Sequence, residues 1–486
     1  MCGFAGVIDL KRVLETSRLE DCARAMAARL ASRGPDDDGF YMDKDCGVAL
    51  GFRRLSIVDL SDNGHQPMLS HDGRYVIVFN GEIYNFKEIR QNLEDSGFTN
   101  WHGRSDTEVM LAAISFYGIE KAIRLFDGMF AFALWDITKK RLYLVRDRLG
   151  EKPLYYGWCG THFVFASELK AFMAHTEWQP KIENRALTAF LRFSYVPEPL
   201  SIYRGIIKLR PGHYTYFDVS TMMPTILPRP KPYWDPTTVF EACQGSNLDI
   251  QEDEALSRLE FLLTTSIKRR LLADVPLGVF LSGGIDSSLI TALAQKETMG
   301  TLKTFTVGFE NTVLSEAAHA EKISKEIGTE HTTLIADENS LLKVIERLPS
   351  CYDEPFGDIS QIPTILLAEM TRSHVTAVLS GDGGDELFGG YPRYDTILER
   401  HQRNNFVRRA CISLASSILP GDLLNKFKSP TGRPTRLGDK LSRMAEESSA
   451  ETPEAMQALF MSRWRMADPT IVLNELGYFG DNKLFY

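Results

Sequence analysis

Val275-Pro276-Leu277-Gly278-Val279-Phe280-Leu281 runs straight into Ser282-Gly283-Gly284-Ile285-Asp286-Ser287-Ser288, and the periodic stretch Leu289–Lys296 follows. An apolar run, a glycine pair and a helical pattern read as strand, tight turn and helix. Paired glycines let the backbone turn so that successive N–H groups face one point, an anion nest at a helix N-terminus. The hydroxyls of Ser282, Ser287 and Ser288 add donors. Gly-Lys-Ser/Thr occurs nowhere in the chain, so this is not a Walker A loop.

Downstream of that turn, strand and helix patterns alternate: Thr304–Phe309, Ser315–Ile327, Thr332–Ile335, Ser340–Leu348, Ile362–Thr371 and Val375–Leu379. Upstream, Leu256, Leu259, Leu263, Ile267 and Leu271 fall on one helical face. Such a succession predicts a doubly wound parallel α/β sheet with ligands at the carboxyl ends of its strands. A second apolar strand ends in Ser380-Gly381-Asp382-Gly383-Gly384-Asp385-Glu386. Three carboxylates so close together repel one another and usually mark a solvated turn. Beside a nucleotide they are better explained by Mg²⁺, which takes one or two carboxylates plus phosphate oxygens. Asp286 and Asp385 are the candidate ligands.

The first half has a different texture. Tyr75–Phe79, Met129–Trp135, Arg141–Val145 and His162–Phe165 read as strands, the middle two joined as a hairpin through Asp136–Lys140. Helical patterns cover Leu19–Leu30 and Thr107–Phe116. Six prolines between Pro211 and Pro236 predict a connector, because proline neither donates to a ladder nor continues a helix. The expected division is 1–218, a proline-rich linker at 219–248, and 249–486.

At the start stands Met1-Cys2-Gly3. Removal of Met1 would leave Cys2 with a free amine titrating near ~8 beside a thiol near ~8.5. The amine can then serve as base for the thiol of its own residue.

Composition narrows the classes. At 486 residues, 44% hydrophobic and 24% charged, the chain is of ordinary globular make-up, with two or three domains expected. A formal charge of −9 argues against a globally basic nucleic-acid binder. The longest apolar run, Met129–Trp135, is far short of the ~20 residues that span a bilayer, and no basic n-region precedes the N-terminal apolar stretch. Seven scattered cysteines without Cys-x-x-Cys form neither a disulfide framework nor a zinc ribbon. A cytoplasmic protein with neither membrane nor nucleic-acid partners is the expectation.

The ordered segments Gly51–Asp59, Phe79-Asn80-Gly81-Glu82-Ile83-Tyr84-Asn85, Ser105-Asp106-Thr107-Glu108, Asp127–Ala133 and Arg146–Tyr156 follow the N-terminal Cys2. In that order they resemble the class II glutamine amidotransferases over roughly residues 2–215. The resemblance implies an αββα N-terminal-nucleophile sandwich that hydrolyses glutamine to glutamate and ammonia. It implies Cys2 as nucleophile, with the Asn80 side chain and the Gly81 N–H as oxyanion donors. It also implies that Arg54 grips the glutamine carboxylate while the Glu82 backbone and Asp106 hold its ammonium. A thiolate attack on an amide creates an oxyanion and needs such donors already aimed at it. One departure is Ser32, where relatives often carry His.

The loop at 282–288 resembles the pyrophosphate loop of the ATP pyrophosphatases. With the 380–391 loop it resembles the asparagine synthetase domain, and both halves together resemble the glutamine-dependent asparagine synthetases. The implied ATP contacts are Leu281, Ser282, Gly283, Gly284, Asp286, Ser287, Ser288, Val307, Ser380 and Gly381. At Asp382 relatives often carry a catalytic Glu; the shorter side chain keeps the charge but loses ~1.5 Å of reach, one C–C bond. The implied reaction uses ATP and Mg²⁺ to adenylate aspartate, which ammonia then converts to asparagine. A homodimer is a further family expectation. Rival readings are amidation of another carboxylate, such as a sugar acid, and a paralogue that keeps mainly glutaminase activity. The family's Lys-x-Asp-Arg and Glu-x-Arg-x-Pro-Phe-Leu-Asp stretches do not occur between Arg393 and Tyr486. By family standards the synthetase half is expected to be C-terminally incomplete and impaired, unless basic residues such as Lys426 or Lys428 substitute.

Overall fold

The structure, a computed structural model, describes residues 1–12, 15–244, 249–309, 316–403, 412 and 437–463; Lys426 and Lys428 lie outside them. The chain forms two compact units, one of Met1–Leu187 with Val196–Ser380, the other of Thr188–Tyr195 with Gly381–Tyr486. Among the described residues no helix is long and apolar enough to cross a membrane.

In chain order the first part of the large unit carries β1 (Gly3–Ile8), α1 (Thr16–Ala28), β2 (Asp37–Asp43), β3 (Val48–Arg54), β4 (Met68–Leu69) and β5 (Tyr75–Ile83). Next come α2 (Phe86–Asp95), α3 (Asp106–Tyr117), α4 (Ile119–Leu125), β6 (Gly128–Asp136), β7 (Arg141–Arg146), β8 (Tyr155–Cys159) and β9 (His162–Ala166). They are followed by α5 (Asn184–Phe193), β10 (Ile206–Lys208), β11 (His213–Asp218), β12 (Lys231–Pro232) and α6 (Pro236–Cys243). The strands form two antiparallel sheets, ordered β10-β8-β9-β1-β3-β2 and β12-β11-β7-β6-β5-β4.

Alternation decides what each sheet face meets. Phe4, Ile8, Val48, Leu50 and Phe52 of the first sheet pack against Val76, Val78, Ala131, Ala133 and Trp135 of the second. The other face of the second sheet, with Ile77, Phe79, Phe130 and Phe132, packs against Ile89, Val109, Met110 and Ile123 of α2–α4. Helix α1 buries Leu19, Cys22, Ala23 and Met26 and lies on β1 and β3. The result is four layers, αββα. Each large apolar side chain fully buried there contributes ~1.5–3 kcal/mol. Helix α3 starts at Ser105, whose side chain accepts the Glu108 N–H at 3.3 Å. That is half of a capping box; the Glu108 carboxylate reaches past Ser105 to the N–H groups of His102 and Gly103.

The expected hairpin forms between β6 and β7, with Asp136 opposite Arg141. The proline-rich stretch has structure of its own: β12 pairs with β11 at the sheet edge, where a proline costs no ladder bond. Beyond it, buried Tyr233 donates its hydroxyl to the Arg146 carbonyl at 2.9 Å.

The rest of the large unit alternates strand and helix: α7 (Glu252–Arg270), β13 (Leu277–Phe280), α8 (Ile285–Glu297), β14 (Lys303–Phe309), α9 (Ala317–Ile327), β15 (Glu330–Ala336), α10 (Glu338–Cys351), α11 (Gln361–Arg372) and β16 (Ala377–Leu379). The sheet is wholly parallel, in the order β15-β14-β13-β16. One face packs Val279 against Ile267, Leu293 and Ala294; the other packs Val307, Phe309 and Leu334 against Val344 and Leu366. Both faces are therefore covered, as a parallel sheet requires. The apolar stripe on α7 is used only in part: Leu263, Ile267 and Leu271 reach the core, whereas Leu256 is 56% exposed.

The two parts of this unit meet through a polar cluster. Glu354 accepts the Ile202 N–H at 2.8 Å and the Tyr155 hydroxyl at 3.1 Å, and pairs with Lys208 at 2.6 Å. Beside it, Asp353 accepts the Lys170 N–H at 2.8 Å. Removing one member of so buried a pair typically costs ~3–5 kcal/mol. In the smaller unit, α12 (Gly384–Phe388), α13 (Pro392–Gln402), α14 (Leu437–Ser448) and α15 (Pro453–Met461) pack around Ile397, Ala450 and Met456. An Arg400–Glu447 ion pair at 2.9 Å joins α13 to α14.

Candidate active site

Strand register gathers the glutamine-site candidates. In β5, Val76 and Val78 face between the sheets; by alternation Asn80 and Glu82 face the same way. In β3, Val48, Leu50 and Phe52 do so, and Arg54 follows. In β1, Phe4 and Ile8 do so, and Cys2 precedes them. Since Gly3 pairs with Arg53, Cys2 lies alongside Arg54 at one end of the sandwich.

Cys2 is the most closely held of these. Its Sγ receives the Leu55 N–H at 3.4 Å and lies 3.5 Å from the Leu55 carbonyl. Burial pushes the thiol up, and the charges of Glu82 and Arg54 also reach it. Arg33 Nε donates to the Cys2 carbonyl at 2.8 Å while its Nη1 pairs with Glu168 at 2.6 Å. The next N–H, of Phe4, goes to Ser167 Oγ at 3.1 Å. The amine at this end belongs to Met1, donates to the Arg33 carbonyl at 3.1 Å, and is lowered by burial to about 5. Arg33 and Ser167 escaped the reading of the sequence because they act on backbone atoms; the Ser32-Arg33-Gly34-Pro35-Asp36 loop was the available signal. Ser32 itself is exposed.

Asn80 is fully buried, and neither its Oδ1 nor its Nδ2 has a hydrogen-bond partner among the described residues. Leaving both ends of a buried amide unpaired costs on the order of 1–3 kcal/mol per group, so the side chain is poised for something else. Gly81 could not be another residue: a Cβ there would lie 2.1 Å from the Met129 carbonyl oxygen and 2.7 Å from Phe130 Cα.

Arg54 is 7% exposed and has no carboxylate partner among the described residues. Its guanidinium donates to the Ser61 carbonyl at 3.1 Å and to the Asp59 carbonyl, leaving N–H groups for an anion. Burial raises Glu82 well above the usual carboxyl range, and the neighbouring charge of Asp106 adds to this. Asp106, in the first turn of α3, is pushed up to about 6 by burial although it accepts the Ile83 N–H at 2.9 Å. The guanidinium offers donors to a carboxylate, and the Asp106 side chain offers an acceptor to an ammonium.

In the parallel part, Leu281, the 282–288 loop, Val307 and Ser380 lie at or just past the carboxyl ends of β13, β14 and β16. Gly283 turns the chain at φ +89° and Gly284 caps α8. Ser282 Oγ accepts the Gly284 N–H at 3.3 Å and lies 2.9 Å from Ser287 Oγ. Ser288 Oγ is buried without a partner among the described residues. Asp286 sits in the first turn of α8 and has no ion pair among the described residues. Val307 packs its side chain on the α10–α11 face. Gly381, Asp382 and Asp385 belong to the smaller unit, where Asp385 opens α12 and Gly383 takes φ +91°. The Asp385 carboxylate likewise lacks an ion pair among the described residues. Within the large unit, the Asp286 carboxylate beside a serine-lined helix N-terminus suits Mg²⁺ and phosphate; Asp385 offers a second such carboxylate in the other unit.

The fold and the sequence comparisons define a class: a glutamine amidotransferase domain built as an αββα sandwich, followed by an asparagine synthase domain built on a parallel α/β sheet. A glutamine amidotransferase domain model matches residues 1–234 and an asparagine synthase model residues 258–472. "Asparagine synthetase (glutamine-hydrolyzing) 1" of Bacillus subtilis is 38% identical over 396 residues, covering 81% of this chain and 59% of that protein. "Putative asparagine synthetase (glutamine-hydrolyzing) 2" of Methanocaldococcus jannaschii is 36% identical over 417 residues, covering 80% and 76%. The chain belongs to the glutamine-hydrolysing asparagine synthetase family, and spans about three fifths of the length of the Bacillus relative. A solved glutamine phosphoribosylpyrophosphate amidotransferase from B. subtilis aligns with 71% of this chain and 93% of its own at 14% identity, with a TM-score of only 0.37.

Proposed function

We propose that the chain hydrolyses glutamine at Cys2 and uses the ammonia to amidate an ATP-activated carboxylate, aspartate in the first instance. The observation that carries the glutaminase half is the buried, unpartnered Asn80 amide on the inter-sheet face shared with Cys2, Arg54 and Glu82. Burial keeps the thiol protonated and would keep an adjacent amine neutral; with Met1 removed, Cys2's own amine can take the thiol proton. The sulfur then attacks the glutamine amide carbon, and the C–O π electrons move to oxygen. Asn80 Nδ2 and the Gly81 N–H stabilise that oxyanion. Collapse expels ammonia with the proton the amine held, and water cleaves the thioester to glutamate. Arg54 holds the α-carboxylate while the Glu82 backbone carbonyl and the Asp106 carboxylate face the α-ammonium.

Ammonia passes to the parallel part, where the substrate carboxylate attacks the α-phosphorus of ATP and pyrophosphate leaves. Leu281, Val307, Ser380 and Gly381 surround the adenosine, and Ser282–Ser288 hold the pyrophosphate. Asp286 and Asp385 would hold Mg²⁺, which would supply neutralisation of the developing phosphate charge. Asp382 would act at the adenylation step. Ammonia then displaces AMP to give the amide. The domain division at 219–248, a cytoplasmic location and a homodimer belong to the same reading; light scattering decides the last.

Two outcomes test the glutaminase half. Asn80→Ala should lower kcat for glutamine hydrolysis by ~10²-fold, the usual loss for one oxyanion donor. ATP-dependent pyrophosphate release with ammonia should be unaffected. An unchanged kcat would remove Asn80 from the mechanism. The second outcome concerns pH. Asp106, titrating at about 6, must lose its proton to meet the glutamine ammonium. KM for glutamine should therefore rise as pH falls below that value, and glutamine binding near pH 6 should release protons, read by calorimetry in buffers of different ionisation enthalpy. A KM flat from pH 5 to 8, tested in steps of ~0.5, would detach Asp106 from substrate.

A further inference from the structure

We propose that His71, His102 and Glu108 form a binding site for a divalent transition-metal ion of the zinc class, a site that neither proposed reaction uses. His71 lies in the tight turn between β4 and β5, where Ser70 and Tyr75 exchange hydrogen bonds and Asp72 caps the Arg74 N–H. His102 lies in the loop that leads into α3, and Glu108 in the first turn of that helix. Two separate stretches, the β4–β5 turn and the loop that runs into α3, therefore converge. The His71 Nε2 is 3.2 Å from Glu108 Oε1, and His102 Nδ1 is 3.7 Å from the same oxygen. One donor atom from each residue lies within 4.8 Å of the others.

Those separations are close to what a metal requires. Bonds of ~2.0–2.1 Å from a tetrahedral Zn²⁺ place neighbouring donors ~3.3 Å apart. The carboxylate is already aimed: its side chain is 8% exposed, with Oε1 accepting the His102 N–H at 2.7 Å and Oε2 the Gly103 N–H at 2.9 Å. Backbone donors of this kind orient a ligating carboxylate. The two imidazoles stack at 4.3 Å with 17° between their planes, and Phe98 packs its edge on His71 at 5.5 Å. His102 keeps 73% of its side chain exposed, so its ring can turn out of the stack to bring Nδ1 onto the ion, and water can complete the shell. Two imidazoles with one carboxylate suit Zn²⁺, Ni²⁺ or Fe²⁺ better than Mg²⁺. The His102 N–H on Glu108 Oε1 also keeps the His102 ring within reach of that oxygen.

The ion would tie the β4–β5 turn to the 99–105 loop. From that loop the Arg104 N–H holds the Asp59 carboxylate at 2.6 Å, and the Asp59 carbonyl holds Arg54. Its role is thus to stiffen the support of Arg54, and its chemistry is structural.

Co²⁺ titration of the metal-stripped full chain in saturating Mg²⁺ is the test. One Co²⁺ per chain is expected, with visible d–d bands displaced by one equivalent of Zn²⁺. His71→Ala and His102→Ala should each weaken binding by at least ~10²-fold, with circular dichroism unchanged; His102→Gln provides a second, milder variant. Absence of Zn²⁺ and Co²⁺ binding by the wild type would overturn the site. Equal binding by all variants would also overturn it, by placing the ion elsewhere.

Discussion

Replacing Cys2 by alanine is expected to cut glutamine hydrolysis by ~10⁴-fold or more, while ammonia-dependent pyrophosphate release survives. The size follows from chemistry: without a nucleophile there is no thioester, and what remains is water acting on a bound amide near the Asn80 donor. Survival of the second reaction follows from placement. Cys2 immediately precedes β1 of the antiparallel sandwich, whereas the 282–288 loop follows β13 of the parallel sheet. The variant should fold, since Cys2 lies at the end of its strand and its backbone contacts with Arg33 are untouched. An uncleavable extension before Cys2 should match the alanine effect by displacing the amine. Loss of both reactions in a folded Cys2→Ala protein would collapse the two-site account, and full glutaminase activity in the extended protein would remove the amine as base.

Asp286→Asn is expected to lower pyrophosphate formation by ~10³-fold with glutaminase activity intact. The substitution keeps size and hydrogen-bonding capacity and removes only charge. Asp286 has no ion pair among the described residues, and in the loop beside it Ser287 Oγ bonds Ser282 Oγ and the Gly284 carbonyl. Charge removal at such a position should disturb little besides cation binding. The diagnostic is a rise in the Mg²⁺ concentration needed for half-maximal rate. Unchanged ATP turnover would move the metal away from Asp286.

Much of this was legible in the chain before any coordinates. The strand–loop–helix at 275–297 and the alternation after it gave the parallel sheet, because local apolar runs and glycine turns are short-range signals. Cys2, Arg54, Asn80 and Glu82 were each visible as motif residues. That they share one face was not, because the register of β1 against β3 joins residues fifty apart and no local pattern encodes it. Arg33 and Ser167 stayed hidden for a related reason: their partners are backbone atoms, which every residue has. The stripe on α7 misled in the opposite direction, since periodicity reports an apolar face but not whether a neighbour covers all of it. The His71–His102–Glu108 convergence depends on a turn and a loop meeting at a helix start, and only the fold brings them together.

The central claim is that one chain couples glutamine hydrolysis to ATP-driven amide formation. It is tested most directly by incubating the full chain with amide-¹⁵N-glutamine, ATP, Mg²⁺ and either aspartate or a uronic acid. Glutamate, pyrophosphate and labelled amide are measured separately. The account predicts that all three appear with aspartate, that the amide carries ¹⁵N, and that pyrophosphate requires the acceptor carboxylate. Glutamate release with neither pyrophosphate nor labelled amide from any acceptor would contradict it.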